Sequence, residues 1–385
     1  MLSKAINTLF CTFSKTIVMR LTSTLLYSIL FVGVLGAILS CESSASSETN
    51  NEDSWMLGPF TKLYDENPIL TPSPELTFVD PISGDAVAYE EKNVLNPAAI
   101  VKDGKVHLIY RAQDSIMTSR LALAISEDGI HFEKTGEPIF FPEKDRFFKL
   151  EWPGGVEDPR IVSTEDGGYF LTYTAYDGKT ARLLSAYSKD LITFKRYGSV
   201  FKDSIYSNIW SKSGAPIVRQ RGERFVMTKI NGYYYMYFGD TNLYLARSKT
   251  LVDWEVLEDE EKGTAIEALQ PRPGYFDSRL VEPGPFALLT AKGVHMIYNA
   301  SNAKNLNDNE LEPYTYAAGQ ALFDAVQPWR LIDRSNSYFI YPEADFEKEG
   351  EVDLVCFVEG LVYFQNKYYL YYGTADSKIG VALIN

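Results

Sequence analysis

From residue 60 onward, apolar and polar positions alternate with a period of two in short runs, each broken by Gly, Asp or Asn. That alternation predicts β-strands joined by tight turns, because successive side chains of a strand point to opposite faces. Few segments support a long amphipathic helix. The runs also recur as a unit. A Gly-containing turn leads into an aromatic-rich strand, and a second strand follows that closes on a Ser/Asp turn and an aromatic. GKVHLIYRAQD…SRLALAISEDGIHF (104–132) is matched by GGYFLTYTAYDGKTARLLSAYSKDLITF (167–194) and NGYYYMYFGDTNLYLARSKTLVDW (231–254). GVHMIYNAS…YAAGQALFD (293–324) is a longer version and NKYYLYYGTADSKIGVAL (366–383) a truncated one. Tyr110, Tyr173, Tyr237, Tyr298 and Tyr372 hold like positions ~60–75 residues apart, a period that suits propeller blades with inserted loops. Five such units predict an all-β chain folded as a five-bladed β-propeller. In that fold the first strands surround one axis, so residues distant in sequence meet at one mouth.

The amino terminus reads differently. An apolar run from Leu25 to Leu39 follows Met19-Arg20 and stops at Ser40-Cys41. A basic start, an apolar stretch and small residues before a cleavage point describe a signal peptide. The end, Ile38-Leu39-Ser40-Cys41, resembles a bacterial lipobox, whose Cys becomes the lipidated first residue. A plain membrane anchor is the runner-up, since the run is near the lower limit for spanning a bilayer. Met19 is a better start than Met1. The expected organisation is a lipoprotein signal peptide over 1–41, a flexible polar tether over 42–55 and a propeller domain over 56–385. The expected location is the bacterial cell envelope, with membrane contact only through a lipid on Cys41.

Composition narrows the partners. A formal net charge of −14 argues against nucleic acid or anionic lipid. The 26 Tyr and 22 Phe suit strands first, and sugar stacking second. Three His and three scattered Cys give no zinc spacing and no disulfide framework, so neither metal nor cofactor is expected.

Candidate chemistry sits at the ends of the inner strands. EWPGGVEDPRI (151–161) sets Glu157, Asp158 and an Arg around a Gly-Gly turn and a Pro, an arrangement suited to acid chemistry on an uncharged polar substrate such as a sugar. Reading the other units in the same way adds Asn96, Arg111, Asp114, Glu282, Glu359 and Asp376. One such polar residue in nearly every unit, several of them among apolar neighbours where an unpaired carboxylate is costly, predicts a convergent cluster.

NPAAI, LIYRA, GVEDPR, YTAY and the closing YYGTAD, in this order along residues 57–385, resemble glycoside hydrolase family 130, the β-mannoside phosphorylases and β-1,2-mannosidases. The resemblance implies a five-bladed propeller acting on β-mannoside oligosaccharides without a metal. It makes Asp158 the general acid, able to relay its proton through a sugar hydroxyl. It places Asn96, Arg111 and Asp376 on the reacting mannose, with Glu157 and Tyr176 beside them; Asp114 belongs to the same set of binding candidates.

Two features point to water as the nucleophile. Tyr298-Asn299-Ala300 stands where phosphorylases of the family commonly carry a His, so one phosphate-binding cation is missing. Glu282 and Glu359 appear where the phosphorylase pattern has small or neutral residues; negative charge there opposes phosphate and serves a base, either of the pair being able to fill that role. Arg182, Lys212 and Lys229 remain as possible phosphate ligands. The expected activity is inverting, exo-acting hydrolysis of β-1,2-linked mannose. A phosphorylase releasing mannose 1-phosphate and a non-catalytic glycan-binding lipoprotein are the alternatives.

Overall fold

The computed structural model describes residues 54–202, 204–306 and 310–384. The apolar run before Ser40, the lipobox-like Cys41 and the tether up to residue 53 lie outside the described residues. The described residues are almost entirely β, with two single-turn helices among them, Phe148–Glu151 and Asp345–Lys348. Apart from two short two-stranded ladders, Phe78–Val79 with Ala86–Val87 and Glu258–Asp259 with Thr264–Ala265, the described strands group into five antiparallel meanders. The first runs Asn93–Lys102, Lys105–Gln113, Ser119–Ser126 and Glu133–Phe140. The second runs Gly155–Ser163, Tyr169–Tyr176, Ala181–Ser188 and Phe194–Ser199.

In the third, Ala215–Arg221 pairs with both Arg224–Met227 and Tyr234–Phe238, and Leu243–Ser248 and Glu255–Val256 follow. The fourth begins with the split strand Leu280–Pro283 and Ala287–Leu289 and continues through Val294–Ser301, Tyr316–Phe323 and Leu331–Arg334. The fifth joins Cys356–Phe364, Lys367–Thr374 and Lys378–Ile384, and its fourth strand comes from the other end of the domain: Thr61–Lys62 pairs with Leu383 and Ala382. The truncated last unit of the sequence is thus completed by the start of the domain.

The recurrent tyrosines lie on the second strand of each meander and are fully buried. A buried phenol needs a partner for its hydroxyl. In four meanders that partner is a carboxylate from the segment entering the meander: Tyr110 donates to Glu90 (2.6 Å), Tyr173 to Glu151 (2.9 Å), Tyr298 to Asp277 (2.8 Å) and Tyr372 to Glu347 (2.8 Å). A cation from the fourth strand neutralises each acid: Lys134, Arg196, Arg334 and Lys62 respectively. This clamp ties the entering segment, second strand and fourth strand together. Tyr237 instead donates to the Pro328 carbonyl at 2.6 Å.

Lys62 is the clamp residue that also closes the chain on itself. Its ammonium lies 2.8 Å from Glu347, whose side chain is wholly buried. Lys62→Met would leave that carboxylate without its cation. A loss of about 3 kcal/mol is expected, as for breaking a buried pair from one side, and appears as a lowered Tm in thermal denaturation. No change in Tm would show that the clamp carries no net stability.

Candidate active site

In every meander the start of the first strand lies beside the end of the second: Asn93 opposes Gln113, Gly155 opposes Tyr176, Ala215 opposes Tyr237, Leu280 opposes Ser301 and Cys356 opposes Thr374. Polar residues at these positions therefore share one end of their meanders. Three first strands carry a register break there, between Leu95 and Ala98, Glu157 and Arg160, and Val358 and Gly360. The breaks contain Asn96, Asp158 and Glu359, and such bulges re-aim a side chain out of the ladder. Asn96 (φ 45°) and Asp158 (φ 46°) are in the left-handed region, as is Asp376 in the turn after the fifth meander's second strand (φ 50°). Left-handed non-glycine residues cost energy and cluster at functional sites.

The bulges bring the residues together around Asp158. Its Oδ1 accepts from Asn96 Nδ2 (2.8 Å) and Arg111 Nη1 (3.1 Å), and its Oδ2 lies 3.3 Å from Lys212 Nζ. Arg111 also donates to Glu157 Oε1 at 2.7 Å and to Ser119 Oγ at 2.9 Å. Ser119 in turn donates to Glu157 at 3.3 Å. The two glycines of the motif serve the protein's own packing. A Cβ on Gly155 (φ 104°) would lie 2.1 Å from the Ser119 carbonyl oxygen, so only glycine permits the parallel bridge that holds the first two meanders in register. A Cβ on Gly154 would lie 2.2 Å from the Tyr176 ring.

Arg160, two residues beyond Asp158, is fully buried and donates to the Gly284 (3.0 Å), Pro283 (2.7 Å) and Asp158 (3.2 Å) carbonyls. Its Nη1 also approaches Glu359 Oε1 at 3.2 Å, off the line of a hydrogen bond. Both Glu359 oxygens are buried and accept no hydrogen bond from the described residues. Glu282 accepts from the Ser213 hydroxyl. Asn299 spends its amide on the backbone of the strand carrying Glu359, donating to the Val358 carbonyl (2.9 Å) and accepting from the Val358 amide (2.7 Å).

The carboxyls are sorted by their surroundings. Desolvation pushes Asp158 up, but Lys212, Arg111 and the Asn96 hydrogen bond outweigh it and hold the group well below the usual carboxylate range. Lys212 is kept above its ordinary value because Asp158, Glu282 and Glu157 overcome its own desolvation. Burial raises Glu282 to about 7 against Lys212 and Arg160. Burial raises Glu359 well above its ordinary value against Arg160, with the charges of Asp158 and Glu282 adding to the rise. Burial likewise raises Asp376 to about 6, opposed chiefly by Arg111. Glu157 is raised by burial despite Arg111. One ionised acid therefore sits beside several carboxyls pushed toward neutrality.

Residues 65–385 match Glyco_hydro_130, described as beta-1,4-mannooligosaccharide phosphorylase. The chain belongs to glycoside hydrolase family 130. It is 31% identical to a 1,2-beta-oligomannan phosphorylase of Thermoanaerobacter sp. over 307 residues, 77% of this chain and 91% of the relative. A glycosyl hydrolase structure from Bacteroides ovatus is 40% identical, covers 86% of this chain and 94% of its own, and superposes with a TM-score of 0.83. A further structure is 41% identical, covers 86% and 95%, and has a TM-score of 0.84. It is described with the words "the GH130 family of mannoside phosphorylases contains glycoside hydrolases that target beta-1,2 mannosidic linkages in Candida mannan".

In this family 130 chain, the residues singled out in the sequence separate into three kinds. Asn96, Arg111, Glu157 and Asp158 touch one another, and Glu282, Glu359 and Asp376 share their electrostatic field. Tyr176 borders the group through its strand pairing with Gly155 and its edge-on contact with Trp210. Asp114 stands apart. It pairs with buried Arg120 at 2.8 Å and accepts from the Ile116 and Thr118 amides. Asp177 repeats that arrangement one meander later with Arg182 and the Lys179 and Thr180 amides, so both are turn-capping acids.

Of the three possible phosphate ligands, only Lys212 reaches Asp158. Arg182 is held by Asp177, and Lys229 donates to the Lys249 carbonyl. Sequence reasoning missed the positioning roles of Lys212, Arg160, Ser119 and Ser213. Arg160 was visible within the EDPR motif; Ser119 and Ser213 carried no signal.

Proposed function

We propose that this chain is an inverting exo-β-mannosidase, a five-bladed β-propeller that hydrolyses β-1,2-linked manno-oligosaccharides. The observation that carries this reading is the pair Glu282 and Glu359, two buried carboxyls beside a cluster whose cations are already matched. Arg111 is shared by Glu157 and Asp158, Lys212 lies on Asp158, and Arg160 holds three carbonyls beside Glu359. An anionic nucleophile would find no unmatched cation among the described residues there to receive it, and its charge would oppose ionisation of either Glu, whereas water needs only one of the pair, ionised, as its base. Asn299 is a neutral amide and supplies no cation, and both ends of that amide are already tied to Val358. The higher identity to structures described in terms of hydrolases, 40% and 41%, against 31% to the phosphorylase, supports the same choice.

In the proposed reaction Asn96, Arg111 and Asp376 hold the reacting mannose. Glu282 or Glu359 removes a proton from water as it attacks the anomeric carbon, and the glycosidic oxygen receives a proton that originates on Asp158 and passes through a sugar hydroxyl. The products are two free sugars, with the reacting mannose inverted.

In the unliganded site the surroundings favour the opposite distribution of protons, holding Asp158 toward its ionised form and pushing Glu282 and Glu359 toward their neutral forms. The reactive form has the same number of protons redistributed, so raising the pH past the Glu282 value removes a proton that the reaction needs. For β-1,2-mannobiose, kcat/KM is expected to be level at weakly acidic pH and to fall tenfold per pH unit above about 7. A profile that instead rises through neutrality would show that the reaction needs the Glu pair ionised without drawing on its proton, and would contradict the redistributed-proton account.

A further inference from the structure

We infer that the loops of the third meander form an extended binding groove for additional neutral sugar units on the leaving-group side of the cluster; the inference rests on the glycosidase reading above. A cavity of about 1060 Å³ opens there, lined among others by Tyr206, Trp210, Asp240, Tyr244, Glu267 and Gln270. Its volume is at the upper end of the roughly 300–1,000 Å³ of small-molecule sites, more than a single sugar ring needs.

The groove is joined to the reacting centre by covalent and hydrogen-bonded neighbours. Trp210 lies two residues before Lys212, and its ring meets Tyr176 edge-on at 6.3 Å. The turn that lines the cavity donates from the Gly239 amide to the Lys212 carbonyl (3.0 Å) and accepts at the Thr241 carbonyl from the amide of Val281, the neighbour of Glu282 (3.1 Å). The Asp240 charge is felt by both Lys212 and Glu282.

The chemistry of the lining selects the ligand. Trp210 is 49% exposed, yet its indole nitrogen donates to Asp240 at 2.6 Å, so a large apolar face is open and its orientation is fixed. Tyr206 is held by Glu258 at 2.8 Å. Such pre-set aromatic faces suit the C–H faces of sugar rings, and ordering them in advance lowers the entropic cost of binding. Asn242 donates to Glu267 at 2.8 Å, and Gln270 donates to its other oxygen, giving amides and a carboxylate to meet sugar hydroxyls. Asp240, Asp259 and Glu267 make the groove acidic, and its cation, Lys262, is already paired with Asp259. The groove therefore takes neutral chains and disfavours phosphate- or carboxylate-bearing glycans.

The test compares kcat/KM on β-1,2-mannobiose and β-1,2-mannotetraose for the wild type, Trp210→Ala and, as a second variant in case the first misfolds, Asn242→Ala. The wild type is expected to prefer the tetraose by about tenfold, and each variant to bring the ratio toward one through a higher KM for the tetraose. A wild type indifferent to chain length, or variants that keep its ratio, would overturn the groove and leave the glycosidase reading standing. Turnover of neither sugar by the wild type would overturn the glycosidase reading instead. Calorimetric titration with mannotetraose then decides the groove alone: binding that Trp210→Ala weakens tenfold upholds it, and no binding overturns it.

Discussion

Asp158→Asn is expected to lower kcat/KM on β-1,2-mannobiose by about 10²–10⁴-fold, the range for losing a positioned proton donor. The amide keeps the shape and can still accept from Asn96 or Arg111, but it cannot carry the proton to the leaving oxygen. Its second effect is electrostatic. Lys212 loses the oxygen 3.3 Å away and Arg111 loses one of its two acids, retaining Glu157 at 2.7 Å. Both cations remain partly solvated, so the fold should persist with a modest drop in Tm. Mannobiose binding by calorimetry then separates the two surviving explanations. Retained binding with lost turnover identifies a catalyst, whereas a wild type that binds and never turns over would identify a glycan-binding protein.

Glu359→Gln and Glu282→Gln are expected to lose activity while gaining stability. The base among them should cost about 10²–10⁴-fold in kcat, and its partner less. Stability moves the other way because burial raises both groups, Glu282 to about 7 and Glu359 well above its ordinary value. A raised folded value means that the contribution is fully present below the unfolded carboxyl range and is lost as pH rises through the folded value. At pH 7 the unfolded chain holds these groups ionised in water, and folding must neutralise or bury them. For Glu282 the penalty is roughly 3 kcal/mol once the pH exceeds its folded value. Gln removes it but must still find partners for a buried amide, so a net gain of about 1–2 kcal/mol is expected. Tm should rise by a few degrees at pH 8 and by less at pH 5. An equal rise at both pH values would show that the carboxyl charge is not the source of the penalty.

The recurrence of the five tyrosines was legible because each occupies the same place on a second strand, and period-two alternation exposes strands directly. The cluster was legible for a related reason. Asn96-Pro97, Asp158-Pro159, Glu282-Pro283 and Glu359-Gly360 each pair a polar residue with one that interrupts a ladder, and an interrupted ladder is how a strand turns a side chain toward a shared space.

Asp114 was grouped with them because it also follows a second strand. Its place is fixed by Arg120, a residue on the next strand that no local pattern ties to it. The Tyr–acid–cation clamps were hidden for the same reason: Tyr173 and Glu151 are 22 residues apart, and Arg196 lies 45 from the acid. Lys62 in the fifth meander is further still, 285 residues from Glu347. Such partners are set by how meanders pack, and packing is not periodic along the chain.

The central claim is that water, and not phosphate, attacks the bound mannoside. Product analysis on β-1,2-mannobiose, with and without inorganic phosphate, tests it most directly. The account predicts free mannose as the sole product, released at the same rate in both conditions. Mannose 1-phosphate appearing in step with added phosphate would contradict it and would recast Lys212, Arg111 and Arg160 as the groups that receive the nucleophile.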